Sequence, residues 1–432
     1  MKFWSDKFSN EEIQFALNKI KQFRRIQSDG KVALTMNEDP DSWIAFLVSA
    51  TGFNVRTDAL RKQIVQGVIF SPELKKNFSE NDFKEIAYKL KIKYKNIDTK
   101  VYKVVFPIWN KPEFLRGTRK IDDVTINFSP SNRTRIFKKI TQERNRQRLS
   151  QEFQYFFTKE RLNDLNQCFV CIVHVKANSP ADANERASEA IYEILGLINL
   201  AKDAGKHSRS SSRVRGKLPV SEVLLGPHTT THFKDGKLTH VGFWHENWVG
   251  GPIRSSSKAN MQSAWAMRYN QLAKGVSQSV WRSQCKTSAA RYFKAFSNPD
   301  LEESFLDGWR LFENVTGSQF EKFKDQINRA SNIFEDNIEH RIIGKHLALR
   351  RNLIAHGHPI KTNDEEVLAF QMLRFIRPFL EFFILNRFSF QSPEDFWEFL
   401  DLPSSKIDRD QERDELNRRL SLFEKAAHFH RD

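Results

Sequence analysis

Cysteine is scarce in this chain of 432 residues, which has three. So few, and an odd number, speaks against a disulfide framework and fits a reducing compartment. No apolar run approaches the roughly 20 residues that a membrane-spanning helix needs. The opening residues Met1-Lys2-Phe3-Trp4-Ser5-Asp6 lack the apolar stretch and small-residue cleavage site of a secretory leader. The expectation is a soluble, cytoplasmic protein that meets no membrane. The chain also lacks a glycine-rich phosphate loop of the P-loop type, a G-x-S-x-G turn and an H-E-x-x-H helix. No internal repeat is visible.

What the chain does have is positive charge, unevenly placed. Lys+Arg number 69 against 53 Asp+Glu, a net +16. From Asp300 onward the count is 19 against 25, so residues 1–299 carry 50 against 28, or +22. Attraction for a polyanion therefore belongs mainly to the first part of the chain. Two segments concentrate it. Arg116 to Arg148 includes Arg119, Lys120, Arg133, Arg135, Lys138, Lys139, Arg144 and Arg146. Lys202 to Lys217 carries Arg209, Arg213 and Arg215 among serines and glycines, and reads as a loop. Each is either a solvated basic surface or a nucleic-acid contact, and their common place in the basic half favours contact. The nucleic-acid-binding candidates are Arg133, Arg135, Lys138, Lys139, Arg144, Arg209, Arg213 and Arg215.

Periodicity predicts an α+β protein, with a mixed α/β N-terminal region followed by an all-α bundle. Ile13, Leu17, Ile20 and Phe23 mark a first helix that ends at Ser28-Asp29-Gly30. From there to about residue 130 the chain reads as mixed, with strand-like runs such as Val101 to Phe106. Asn132 to Phe157 reads as a basic helix. Gln167 to Lys176 reads as a buried strand, and Ser179-Pro180 caps a helix that stops near Gly205. An Asp235-Gly236 turn joins a hairpin, Thr229 to Phe233 and Leu238 to Trp244. Helices follow near 258–273, 277–296, 301–315, 319–330, 333–356, 364–387 and 411–429. Residues 1–155, 156–255 and 256–432 are the expected domains, with a bundle over about 300–432. In 333–356, Phe334, Ile338, Ile342, Leu349 and Leu353 form an apolar stripe expected to face the core.

That helix ends in Arg350-Arg351-Asn352-Leu353-Ile354-Ala355-His356-Gly357-His358-Pro359. Gly357 suits the left-handed residue just past a helix, and Pro359 prevents its resumption. An imidazole moves protons near neutral pH, and a guanidinium stabilises phosphate oxyanions. Arg341 and His346 share the spacing, but Ile342 follows that arginine and no helix end is near. On an ideal helix Arg351 and His356 point about 140° apart, whereas Asn352 and His356 share a face. The other reading of the residues is a surface arginine and a histidine that caps the last carbonyls.

Arg351, Asn352 and His356, in the form Arg-Asn-Leu-Ile-Ala-His-Gly, resemble the motif of the HEPN superfamily. The run Phe305 to Glu313 resembles the first bundle helix of the Apea-like HEPN group. The resemblance covers about residues 300–432. It implies a metal-independent endoribonuclease completed by two HEPN domains, and hence RNA as substrate and a homodimer or higher homo-oligomer. It also implies a setting in abortive infection, with a phage-derived trigger. Arg351, Asn352 and His356 are the catalytic candidates, with no cofactor and no metal expected. Some relatives are non-catalytic, so an RNA-binding or dimerising module is the alternative, and a DNA-binding regulator is a third.

Two other constellations remain. Cys168 and Cys171 form a C-x-x-C, but on a strand residues three apart face opposite ways and do not easily hold one metal. His228, His232, His240 and His245 gather at the hairpin, as strand residues or as a metal or base-stacking group.

Overall fold

A computed structural model describes residues 2–35, 40–96, 99–150, 168–205, 218–244, 259–317, 323–334, 337–358, 365–403 and 405–430. The described residues contain 14 helices and a seven-stranded antiparallel sheet, an α+β fold with a helical C-terminal region. None of these helices is long and apolar enough to cross a membrane. They divide into two compact units, within residues 1–108, 116–190 and 225–246, and within 109–115, 191–224 and 247–432.

The first unit opens with α1 (Asn10–Phe23), whose start is fixed by a reciprocal cap between Ser9 and Glu12. Ile13, Ala16, Leu17, Ile20 and Phe23 recur at helical spacing, and all are buried. A short ribbon, β1 (Arg24–Ile26) and β2 (Val32–Leu34), leads to α2 (Pro40–Ala50), α3 (Asp58–Ile69) and α4 (Glu80–Asn96). With the strands on either side of them, these three helices make residues 30–130 mixed, as the sequence reads. They close a core around Leu47, Phe53, Ile64, Val68 and Phe83.

The sheet follows, from β3 (Lys100–Trp109), β4 (Thr118–Ile121), β5 (Val124–Asn127), β6 (Phe169–Ala177), β7 (Leu224–Leu225), β8 (His228–Phe233) and β9 (Leu238–Trp244). Its order is β4-β5-β6-β3-β8-β9, with β7 on β3. The boundary expected at residue 155 therefore does not separate two folding units, because strands from both sides of it share one sheet. Helix α5 (Arg135–Arg148) packs on that sheet through Ile140. The helix stops at Arg148 with Leu149 as its C-cap, and residues 151–157 of the helix expected to Phe157 lie outside the described residues. Helix α6 (Pro180–Lys202) starts where Ser179 Oγ accepts from the Asp182 N–H at 3.2 Å. Its Glu185 carboxylate accepts from the Asp58 and Ala59 N–H groups at the start of α3, at 3.0 and 2.7 Å. An anion at a helix N-terminus is well placed.

The second unit is built from the end of α6 together with α7 (Ala259–Gln278), α8 (Arg282–Phe296), α9 (Leu301–Val315), α10 (Phe323–Ser331), α11 (Ile338–Ala355), α12 (Glu365–Leu385), α13 (Pro393–Asp401) and α14 (Lys406–His430). Its core is aromatic, with Phe305, Trp309 and Phe312 against Phe375, Phe379 and Phe383 of α12. Phe312 and Phe375 meet edge to face at 5.2 Å. Gly344 lets α11 approach closely, since a Cβ there would lie 2.6 Å from Ile327 and 2.9 Å from Phe375.

Candidate active site

Helix α11 carries the site. Gly357 takes φ +81°, and the N–H groups of Gly357 and His358 donate to Ile354 and Leu353 carbonyls, both at 2.9 Å. That is a Schellman termination, so the chain leaves the helix directly after His356. His356 is exposed there, and its backbone N–H donates to the carbonyl of Asn352 at 3.0 Å.

Arg351 points toward the packed side. Its Nη2 lies 3.7 Å from Glu313 Oε1 on α9, and its guanidinium sits 5.2 Å from the centre of the Phe323 ring on α10. Its Nη1 donates to Asn352 Oδ1 at 3.3 Å. Glu313 also accepts from Trp309 Nε1 at 2.9 Å, so the carboxylate is anchored before it meets the arginine. The Arg351 side chain keeps 33% of its surface exposed. Neither Arg351 nor His356 is sealed in the dry interior. Glu313 and Phe323 carry no motif spacing relative to Arg351. Only the packing of α9, α10 and α11 reveals them.

The apolar stripe of α11 faces the opposite way from its expected direction. Gly344, Leu347 and Ala348 are the buried residues, whereas Ile338, Ile342 and Leu349 are 65, 62 and 59% exposed. With 3.6 residues per turn, Ile338 and His356 lie on one line of the helix, with Ile342, Leu349 and Asn352 within about 40° of it. One exposed face thus unites the histidine, the amide and three large apolar side chains.

The basic candidates divide. Arg133, Arg135 and Lys138 are exposed, and Lys139 lies 3.6 Å from Asp235. Arg144 corrects the sequence reading, because α5 lays it against the sheet. Its Nη1 donates to Thr230 Oγ1 at 2.5 Å and its Nη2 to the His228 carbonyl at 3.0 Å. Burial brings its pKa down to about 10, with Arg148 adding to the effect. It is part of the sheet's support, not a hand for phosphate. Arg209, Arg213 and Arg215 lie outside the described residues, as does His245.

His228 and His232 are buried on β8, and desolvation first, with Arg144 nearby, pushes their pKa values to about 2 and 4. His232 Nδ1 and Nε2 meet the Gly236 carbonyl and Thr230 Oγ1 at 3.1 and 2.9 Å. Cys168 and Cys171 are both buried. Among the described residues no three His, Cys, Asp or Glu side chains are grouped to hold a metal.

Comparisons with known protein families, curated proteins and solved structures find no match to this chain.

Proposed function

We propose that this chain is a cytoplasmic, metal-independent endoribonuclease of the HEPN type. The observation that carries the reading is an exposed His356 at the terminus of α11, one turn beyond an arginine oriented by an anchored carboxylate. The 2′-hydroxyl of RNA attacks the adjacent phosphorus, and the bond to the 5′-oxygen breaks to leave a cyclic phosphate. His356 transfers the proton as general base or acid. Arg351 stabilises the charge that grows on the phosphoryl oxygens. Asn352 holds the arginine or the phosphate.

One imidazole does not easily serve as base and acid at once, so the site takes His356 from two chains. The exposed line of Ile338, Ile342 and Leu349 beside His356 supports a two-fold pairing of α11 helices. Ile342→Asp accordingly leaves a folded monomer by light scattering and removes cleavage. A variant that stays dimeric contradicts this pairing.

The Arg351–Glu313 contact also suits a different reading, a non-catalytic RNA-binding or assembly module in which the arginine merely packs. RNA cleavage by purified wild type, His356→Ala and Arg351→Ala separates the two. The nuclease reading expects lost cleavage with RNA affinity retained. Cleavage unchanged in both variants, or absent from wild type, favours the module. The resemblance to the Apea-like group supports an antiphage role with a phage-derived trigger. Protection by wild type but not His356→Ala in bacteria under phage challenge tests that role.

A further inference from the structure

We propose that the cleft between α8 and α9 seats the RNA segment next to the cleaved linkage, with its phosphates on Arg291 and Lys294. The inference rests on the nuclease reading and adds a substrate subsite to it.

The cleft measures about 590 Å³, within the range of pockets that take a nucleotide-sized ligand. Arg291, Lys294 and Ala295 line one wall, while Asp307, Arg310, Leu311, Glu313 and Asn314 line the other. Glu313 places the cleft beside the catalytic group, because the same carboxylate lies 3.7 Å from Arg351 Nη2. A strand whose scissile phosphate rests on Arg351 therefore has this cleft as its neighbouring space.

The charges in the cleft are not equivalent. Arg310 is bound to Asp307 at 2.6 Å and is neutralised there. Arg291 and Lys294 are exposed and meet no carboxylate among the described residues. They sit one turn apart on α8, so both reach the same side. Lys294 Nζ lies 5.0 Å from the centre of the Tyr192 ring, which stacks on Phe293 at 5.5 Å. A cation over an aromatic platform keeps its charge and loses some of its freedom. Asp307, Glu313 and Asn314 supply acceptors for the amino and imino groups of a base. These two cations stand opposite a wall drawn from the region whose net charge is −6 from Asp300 onward, so a polyanion has few other footholds in the cleft.

The test measures binding of a short single-stranded oligouridylate to full-length His356→Ala, with and without Arg291→Gln and Lys294→Gln. The paired substitutions should weaken binding about tenfold and reduce the slope of log affinity against log salt by about 1.4, or 0.7 per lost phosphate contact. In the cleavage-competent chain they should lower kcat/KM by a similar factor, and Arg291→Lys should retain affinity. A thermal midpoint equal to that of the parent establishes that the fold is intact. Unchanged affinity and salt slope, or a parent that binds no RNA, overturns the cleft. Wild type that binds RNA through these residues yet never cleaves it overturns the nuclease reading instead.

Discussion

Two arginines in two parts of the molecule show how differently one side chain can be used. Arg144 on α5 is buried against the sheet and gives its donors to Thr230 and the His228 carbonyl. Arg351 on α11 keeps a third of its surface in solvent and meets Glu313 at 3.7 Å. A buried guanidinium with fixed acceptors stabilises a fold, and its removal leaves carbonyls unsatisfied. A half-exposed one is screened and adds little stability, but it can still reach a ligand. The first unit, although it is the basic one, spends a cation on structure. The second presents a cation at its site.

The largest expected effect is on chemistry. His356→Ala should reduce RNA cleavage by about 10²–10⁴-fold and Arg351→Ala by about 10²–10³-fold, measured with purified protein of unchanged thermal midpoint. Loss of folding in Arg351→Ala would erase the contrast between the two arginines. Next, Arg144→Met should cost about 2–4 kcal/mol in urea unfolding, while Arg135→Ala stays within about 0.5 kcal/mol. Equal costs would place the two side chains in one class.

Acid should then distinguish the histidines. His228, His232 and His340 have folded pKa values of about 2, 4 and 4, each depressed first by burial. The unfolded chain binds these protons near pH 6.5 and the folded one does not. Stability is therefore full above pH 6.5 and falls as pH drops toward about 4, by at most about 1.4 kcal/mol per pH unit for each histidine. His340 stacks on Phe375 at 4.2 Å in the second unit, so His340→Phe should flatten part of that fall. An identical pH profile in the variant contradicts the assignment. A small effect belongs to Gly357→Ala, about 1 kcal/mol in urea unfolding, because only its φ of +81° opposes a side chain and no atom lies within 4 Å of the added Cβ.

Local signals explain most of what was readable. Ser9 with Glu12, Ser179-Pro180, Asp235-Gly236 and Gly357 each announce a boundary within a few residues, and α1, α6, the β8–β9 hairpin and the end of α11 follow them. The helices α2 to α4 were obscured. In α4 the run Tyr88-Lys89-Leu90-Lys91-Ile92-Lys93-Tyr94-Lys95 alternates with a strand's period, and tertiary burial of Phe83, Ile86 and Ala87 decides for helix. Helix α13 had a readable start, since Ser392 and Asp395 form a reciprocal cap with Pro393 between them. Arg144 was hidden among similar cations, although its place one turn after buried Ile140 marks the inner face. On α11 the periodicity found one face correctly but carried no information on which side the rest of this chain would cover. Arg351, Asn352 and His356 were readable as a helix-end constellation. Glu313 and Phe323 were not, because their approach to Arg351 is purely tertiary.

The most direct measurement is the end chemistry of RNA incubated in EDTA with purified wild-type protein and with His356→Ala. Wild type should yield fragments ending in 2′,3′-cyclic phosphate or 3′-phosphate, and the variant should yield essentially none. Fragments with 3′-hydroxyl ends, cleavage that stops in EDTA, or equal cleavage by His356→Ala would contradict an imidazole acting on the ribose phosphate at the end of α11.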